Sequence, residues 1–381
     1  MPPRAPNPYR PGFNQAPARL VGRDAVITAA TEALEIAALD GRTPRPLLLV
    51  GPRGVGKTVS LGEIATLAGQ EHGWPTVAVE LRPGTPFTPE LVERLQAAAT
   101  LLGQATVEKS GRLSVSGGKV TARVLGVGGE VHVRHTQGGP AAVPLDEALT
   151  AAAEAAVACG GGLVVTVDEL QLADRAELAD LAAVLQQHVG DHWPLVVAGA
   201  GLPSLRERDR SVTYLERGEW HELGLLGRAD TVEALTGPAA DADRPMDEEA
   251  AKVLADASGG YPYAIQVLGH HAWRASHGQE RIEAEHARAA LAAAQRDLSA
   301  GLYASRWNDA SPKEREYLAA LARLPEGSGG GDVARKLGEP TSKVSYLRDR
   351  LIKKGTLFPE RGALRFLVPG MAQWVREHAE P

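Results

Sequence analysis

The 381-residue chain predicts an α/β fold. Its expected parts are a parallel sheet flanked by helices, an inserted β-hairpin, a helical lid and a C-terminal winged helix-turn-helix. Three observations carry this expectation. Apolar runs at Leu47–Val50, Leu163–Val167 (broken only by Thr166) and Leu195–Ala198 suit buried parallel strands, which need no polar alternation because both faces are covered. Helical patterns alternate with these runs, as a parallel sheet requires. Beyond residue 227 apolar residues recur at helical spacing until a strand pair closes the chain.

The composition is that of a globular protein, with 44% apolar and 23% charged residues. No apolar run reaches the roughly 18 residues of a membrane span, and the Pro-rich start lacks a leader's apolar core. Cys159 is the single cysteine, so neither an internal disulfide nor an all-cysteine metal site can form. A reducing cytoplasm is the expected compartment. The net charge of −6 is uneven. From Ser311 onward there are 13 Lys+Arg against 9 Asp+Glu, a balance of +4, leaving −10 on the rest.

Residues 1–18, with six prolines, read as a flexible arm. Asp24 is placed to cap a helix over Ala25–Leu39. Leu47–Val50 is the first strand, and directly after it stand Gly51, Pro52, Arg53, Gly54, Val55, Gly56, Lys57, Thr58 and Val59. Gly51, four residues, then Gly56-Lys57-Thr58 is a P-loop, here in its required place between a strand and a helix. The glycines let successive N–H groups turn inward as a nest for phosphate oxygens, and the helix starting near Lys57 adds its positive end. Lys57 is expected to reach the β- and γ-phosphates of ATP, and the Thr58 hydroxyl to bind Mg²⁺.

Thr76–Glu80 is the second expected strand and Pro89–Leu102 a helix. Residues 104–140 are Gly-rich with alternating β-formers and read as the inserted hairpin. Its Lys109, Arg112, Lys119, Arg123, Arg134 and His135 suit a solvated face or contact with a polyanion. Asp146–Cys159 is an Ala-rich helix. The strand from Leu163 ends in Asp168-Glu169, the Walker B pattern: Asp168 for Mg²⁺, Glu169 as the base that polarises the attacking water. The strand at Leu195–Ala198 ends in Gly199, Ala200 and Gly201, with no polar side chain to sense the γ-phosphate; nearby Gln171 is the candidate substitute. Arg206, Arg208, Arg210 and Arg217 are candidate arginine fingers, Arg217 foremost because it precedes the strand-like Glu219–Leu223. Four helices are expected at 229–236, 247–258, 262–276 and 283–300. Gly259-Gly260-Tyr261-Pro262 breaks the second from the third.

In the last segment, Ser311 caps a helix to Arg323 with Pro312 at its first turn. A second helix covers Gly331–Leu337. Thr341 caps a third through Lys354, and Gly355 stops it. Thr356–Phe358 and Ala363–Val368 pair as a wing. Val344, Leu347, Leu351 and Ile352 form the third helix's inward face. Its outward Lys343, Ser345, Arg348, Arg350 and Lys353, with Arg361 of the wing, are candidate contacts for double-stranded DNA. Winged helices also serve protein contacts, so a protein partner or a second copy is the other reading.

Through Val21–Asp24, Gly51–Thr58, Asp168–Glu169, Gly260-Tyr261-Pro262 and the terminal winged helix, the chain resembles AAA+-type P-loop ATPases of the origin-recognition, archaeal-ATPase and signal-transducing STAND kinds. It is most similar to bacterial, mainly actinobacterial, members with a fused winged helix. The resemblance spans about 18–375 and implies a core at 19–226, a lid at 227–305 and a winged helix at 306–381. It implies ATP and Mg²⁺ as cofactors, an adenine contact at Pro262 and a finger at Arg217. The implied function is a nucleotide-driven switch controlling DNA binding or, as the alternative, protein contact and oligomerisation. The missing sensor at Gly199–Gly201 departs from the family pattern and implies slow hydrolysis.

Overall fold

The computed structural model describes residues 6–12, 15–109, 143–188, 192–208, 217–360 and 362–379. They divide into two compact units. One is Arg23–Val50 with Ser60–Glu222; the other is Met1–Gly22, Gly51–Val59 and Leu223–Pro381.

The Arg23–Glu222 unit is built on a five-stranded parallel sheet in the order β2-β3-β4-β1-β5. Its strands are β1 (Leu47–Val50), β2 (Thr76–Glu80), β3 (Leu163–Asp168), β4 (Leu195–Gly201) and β5 (Glu219–Glu222). Every residue of β1, β3 and β4 is buried, which is why their sequences are mostly apolar without alternation, Thr166 and Asp168 of β3 being the polar members. Helices α1 (Asp24–Asp40), α2 (Lys57–His72), α3 (Phe87–Lys109), α4 (Leu145–Ala158), α5 (Arg175–Gln187) and α6 (Ser204–Arg208) alternate with the strands. Leu91, Leu95, Leu149 and Leu178 join Val77, Val165 and Val197 in one core. Register places Val50 beside Gly201 and Val167 beside Gly199, so β1, β4 and β3 end together at the sheet's carboxyl edge. In open parallel sheets that edge is where ligands bind.

Three expectations change here. Asp24 is not the cap of α1 but lies in its first turn, and Arg23 takes the cap position without a side-chain bond. Helix α3 runs on to Lys109, so 104–109 extend a helix rather than open a hairpin. Residues 110–140 of the expected insertion lie outside the described residues, as do Arg210 and Arg361. Strand β4 continues through Gly199–Gly201, because residues with no side chain or a single methyl pair beside Leu48–Val50 as well as any other.

In the second unit, α7 (Arg228–Asp241), α8 (Glu248–Ser258), α9 (Pro262–Ala275) and α10 (Ala284–Leu298) follow one another. Leu235, Leu254, Ile265, Leu268 and Trp273 form their core. The arm expected to be flexible is anchored at residues 7–10. Tyr9 is 2% exposed in this core, its hydroxyl donates to the Leu235 carbonyl, and Asn7 bonds to His270. A π-helical turn, Ser299–Tyr303, leads into α11 (Ala304–Asn308). Next come α12 (Pro312–Ala322), α13 (Gly330–Leu337), α14 (Thr341–Lys353), an antiparallel pair β6 (Leu357–Glu360) and β7 (Ala363–Phe366), and α15 (Met371–His378). Val344, Leu347 and Leu351 of α14 are buried against Leu318, Val333 and Leu357. Ser311 accepts from the Glu314 N–H and Glu314 reaches back to the Ser311 N–H, a capping box. Thr341, expected as a cap, is the first residue of α14, with Pro340 before it. Helix α15 was not anticipated, although Met371, Trp374 and Val375 recur at helical spacing and are buried.

Candidate active site

Four apolar residues of β1 end at Val50, and Gly51–Val59 follow directly in the chain. Gly54 at φ +81° and Gly56 at φ +95° occupy the left-handed region that favours glycine. The Lys57 ammonium is 6% exposed and donates to the Gly51 and Pro52 carbonyls at 2.9 and 2.8 Å. It thus closes the loop over its own backbone. Thr58, one residue into α2, is exposed.

Tyr261, directly before α9, and residues of the C-terminal segment take hold of this loop from within the same unit. The Tyr261 hydroxyl donates to the Arg53 carbonyl at 3.1 Å. The Arg306 guanidinium donates to that carbonyl at 3.4 Å, to the Tyr261 oxygen at 3.2 Å and to the Gly355 carbonyl. Arg53 itself faces the Asp309 carboxylate at 3.6 Å. Gly355, at φ +67°, lies so close that a Cβ there would be 3.1 Å from the Pro52 side chain. Burial pushes the Tyr261 hydroxyl's pKa up, against the opposing pull of Arg306, so it stays a proton donor. Arg306 is 8% exposed, and among the described residues its Nε has no acceptor and its partners are carbonyls and a hydroxyl rather than a carboxylate. A buried cation so placed favours an anion beside the loop.

At the end of β3, Asp168 is 6% exposed and accepts from the Glu169 N–H at 2.7 Å. Glu169 is half-buried with φ +57°, a conformation that costs a non-glycine residue about 1–2 kcal/mol. Its carboxylate accepts from Gln171 Nε2, and Gln171 Oε1 accepts from the Leu202 N–H at 2.9 Å. Arg217 is exposed in the turn before β5. Pro262 is the first residue of α9 and partly buried; the loop contact beside it is made by Tyr261. Taken singly, the Thr58 hydroxyl in one unit and the Asp168 carboxylate in the other are each a hard oxygen donor of the type Mg²⁺ takes.

The candidate nucleic-acid residues lie along α14, and several carry acids. Arg348 pairs with Asp349 at 2.8 Å and Lys343 with Glu339 at 3.4 Å. Arg350 and Lys354 both meet Glu314, a carboxylate with 0% exposure, at 3.1 and 2.7 Å. Ser345 is half-buried and Lys353 exposed.

Residues 19–197 match a family model described as an AAA ATPase domain. Residues 300–375 match one described as a domain of unknown function. A Walker-type ATPase of Pyrococcus abyssi aligns over 94% of this chain and 96% of its own, with a TM-score of 0.64 and 17% identity. The fold is that of the P-loop NTPases. Two more solved structures align with lower scores. The RuvB Holliday junction branch migration motor of Thermotoga maritima scores 0.45 at 17% identity over 95% of this chain and 96% of its own. The ORC1 protein of Aeropyrum pernix in complex with DNA scores 0.44 at 17% identity, over 95% and 94%. No curated protein matches the chain. Within the P-loop NTPase fold, Lys57 and the Asp168-Glu169 pair hold the sequence positions that the motifs specify. Tyr261, Arg306, Asp309 and Gly355 were not anticipated as loop contacts. Only Tyr261 carried a signal, in the Gly-Tyr-Pro break.

Proposed function

We propose that this protein is a Mg²⁺-dependent ATPase that works as a switch, with nucleotide state passed from the P-loop to the C-terminal module. The supporting observation is the grip of Arg306, Tyr261 and Asp309 on Arg53, with Gly355 at the end of α14 tied into the same cluster. A P-loop that changes shape around phosphates cannot do so without disturbing these bonds. In this reading 19–226 is the core, 227–305 the lid and 306–381 a winged helix. The backbone amides of Gly51–Val59 and the Lys57 ammonium bind the phosphates, and Pro262 lies against the adenine. Thr58 and Asp168 hold Mg²⁺, which neutralises phosphate charge. Glu169 takes the proton from the attacking water, and Arg217 serves as the finger.

Lys57→Ala is expected to abolish binding of a fluorescent ATP analogue; wild-type affinity would remove the site. Glu169→Gln is expected to bind ATP and to lose about 10²–10⁴-fold in turnover.

The output ligand proposed first is double-stranded DNA, read by α14. Binding to duplex DNA across salt, with and without ATP·Mg²⁺, tests it. Nucleotide-dependent affinity that falls steeply with salt is the expected result. The second reading, ATP-gated contact with a protein or a second copy, is favoured by the carboxylates on Lys343, Arg348 and Arg350. Absence of DNA binding in every nucleotide state would select it.

A further inference from the structure

We propose that Gln171 is a positioning residue for hydrolysis, its carboxamide clamping Glu169 to the carboxyl end of β4. The inference rests on Glu169 acting as the base. A primary amide carries a donor and an acceptor on one rigid plane. Here the two ends are assigned by their partners. The Leu202 N–H demands the acceptor, at 2.9 Å, so Nε2 faces the Glu169 carboxylate. Strand β4 makes room for this. A Cβ added to Gly201 would stand 3.0 Å from Gln171 Oε1. The strand end without a polar side chain and the amide that reaches it therefore form one arrangement.

Glu169 needs such a partner. Its backbone lies in the left-handed region, held by its N–H to Asp168 and by its carbonyl to the Leu172 N–H at 2.8 Å. Its carboxylate would otherwise be free to change rotamer. In the step proposed, the water oxygen bonds to the γ-phosphorus and the bond to the β-phosphate oxygen breaks. ADP leaves with that electron pair, and the water's proton passes to Glu169. A base displaced by 1 Å loses up to about 10²-fold. Gln171 acts on this step through Glu169 alone.

The test compares steady-state ATP·Mg²⁺ hydrolysis and thermal unfolding of the full chain with those of Gln171→Ala, Gln171→Glu and Glu169→Gln. Gln171→Glu keeps the shape and the acceptor for Leu202 but turns a like charge on Glu169, so a mere space-filling role would survive it. The expected result is a fall in kcat of about 10–100-fold in both Gln171 variants with KM unchanged, larger than any fall in unfolding midpoint accounts for, since both variants stay folded at the assay temperature. Gln171→Ala should add no further loss in the Glu169→Gln background. Wild-type or raised kcat in Gln171→Glu, with Glu169→Gln inactive, would overturn the clamp and leave the base assignment standing. Wild-type turnover in Glu169→Gln would overturn both. Should Gln171→Ala fail to fold, Gln171→Glu decides.

Discussion

Glu314 shows how unequal the basic residues of α14 are. Its carboxylate is wholly buried and meets both Lys354 and Arg350. Lys354→Met takes away one of these two cations and leaves a buried acceptor short of a donor, so it should cost about 1–3 kcal/mol in chemical denaturation. Lys343→Ala breaks an exposed pair and should cost under about 1 kcal/mol. Any DNA-binding test that neutralises Arg350 must therefore be read against stability, whereas Lys343 and Arg348 can be changed more cleanly. The P-loop and Asp168-Glu169 were legible because each is a local pattern whose chemistry depends on neighbours in sequence. Arg306 was not legible: its partner Arg53 lies 253 residues away, and no local spacing encodes that meeting.

At the scale of elements, the capping box of α12 gives a pH prediction. Burial raises the Glu314 pKa, but the Lys354 bond and the Ser311 N–H outweigh it and hold the carboxyl below the ordinary 4.5. A depressed carboxylate stabilises the fold above its unfolded value, and that contribution is lost as pH falls through the lower folded value. Unfolding midpoints should drop through and below pH 4.5, and less so in Glu314→Gln. Helices α12, α13 and α14 share an apolar core, and Leu351→Ala, at a fully buried site within it, should cost about 2–5 kcal/mol. Strand and helix types were readable because burial on both faces and 3.6-residue spacing leave plain marks. Ends were less readable. Asp24 and Thr341 have good capping side chains, yet the chain enters one residue earlier in each case. The continuation of α3 to Lys109 ran against a Gly-rich stretch that pointed to β-structure.

For the whole molecule, the notable feature is that neither compact unit is a continuous segment. The chain passes between them at 22/23, 50/51, 59/60 and 222/223. A fragment ending at 226 keeps the P-loop but lacks Tyr261, Arg306 and Gly355. We expect it to bind the ATP analogue more weakly than the full chain, by titration at equal concentration. Equal affinity would mean that the loop holds its form without them. The separation also has a meaning for biosynthesis. On the ribosome, at about 5–20 residues per second, Arg53 emerges roughly 10–50 s before Arg306 is made. The nascent loop must pass that interval without its later partners. A loop contact assembled this way is incomplete until residue 306 has been translated, so an abandoned N-terminal product would lack it.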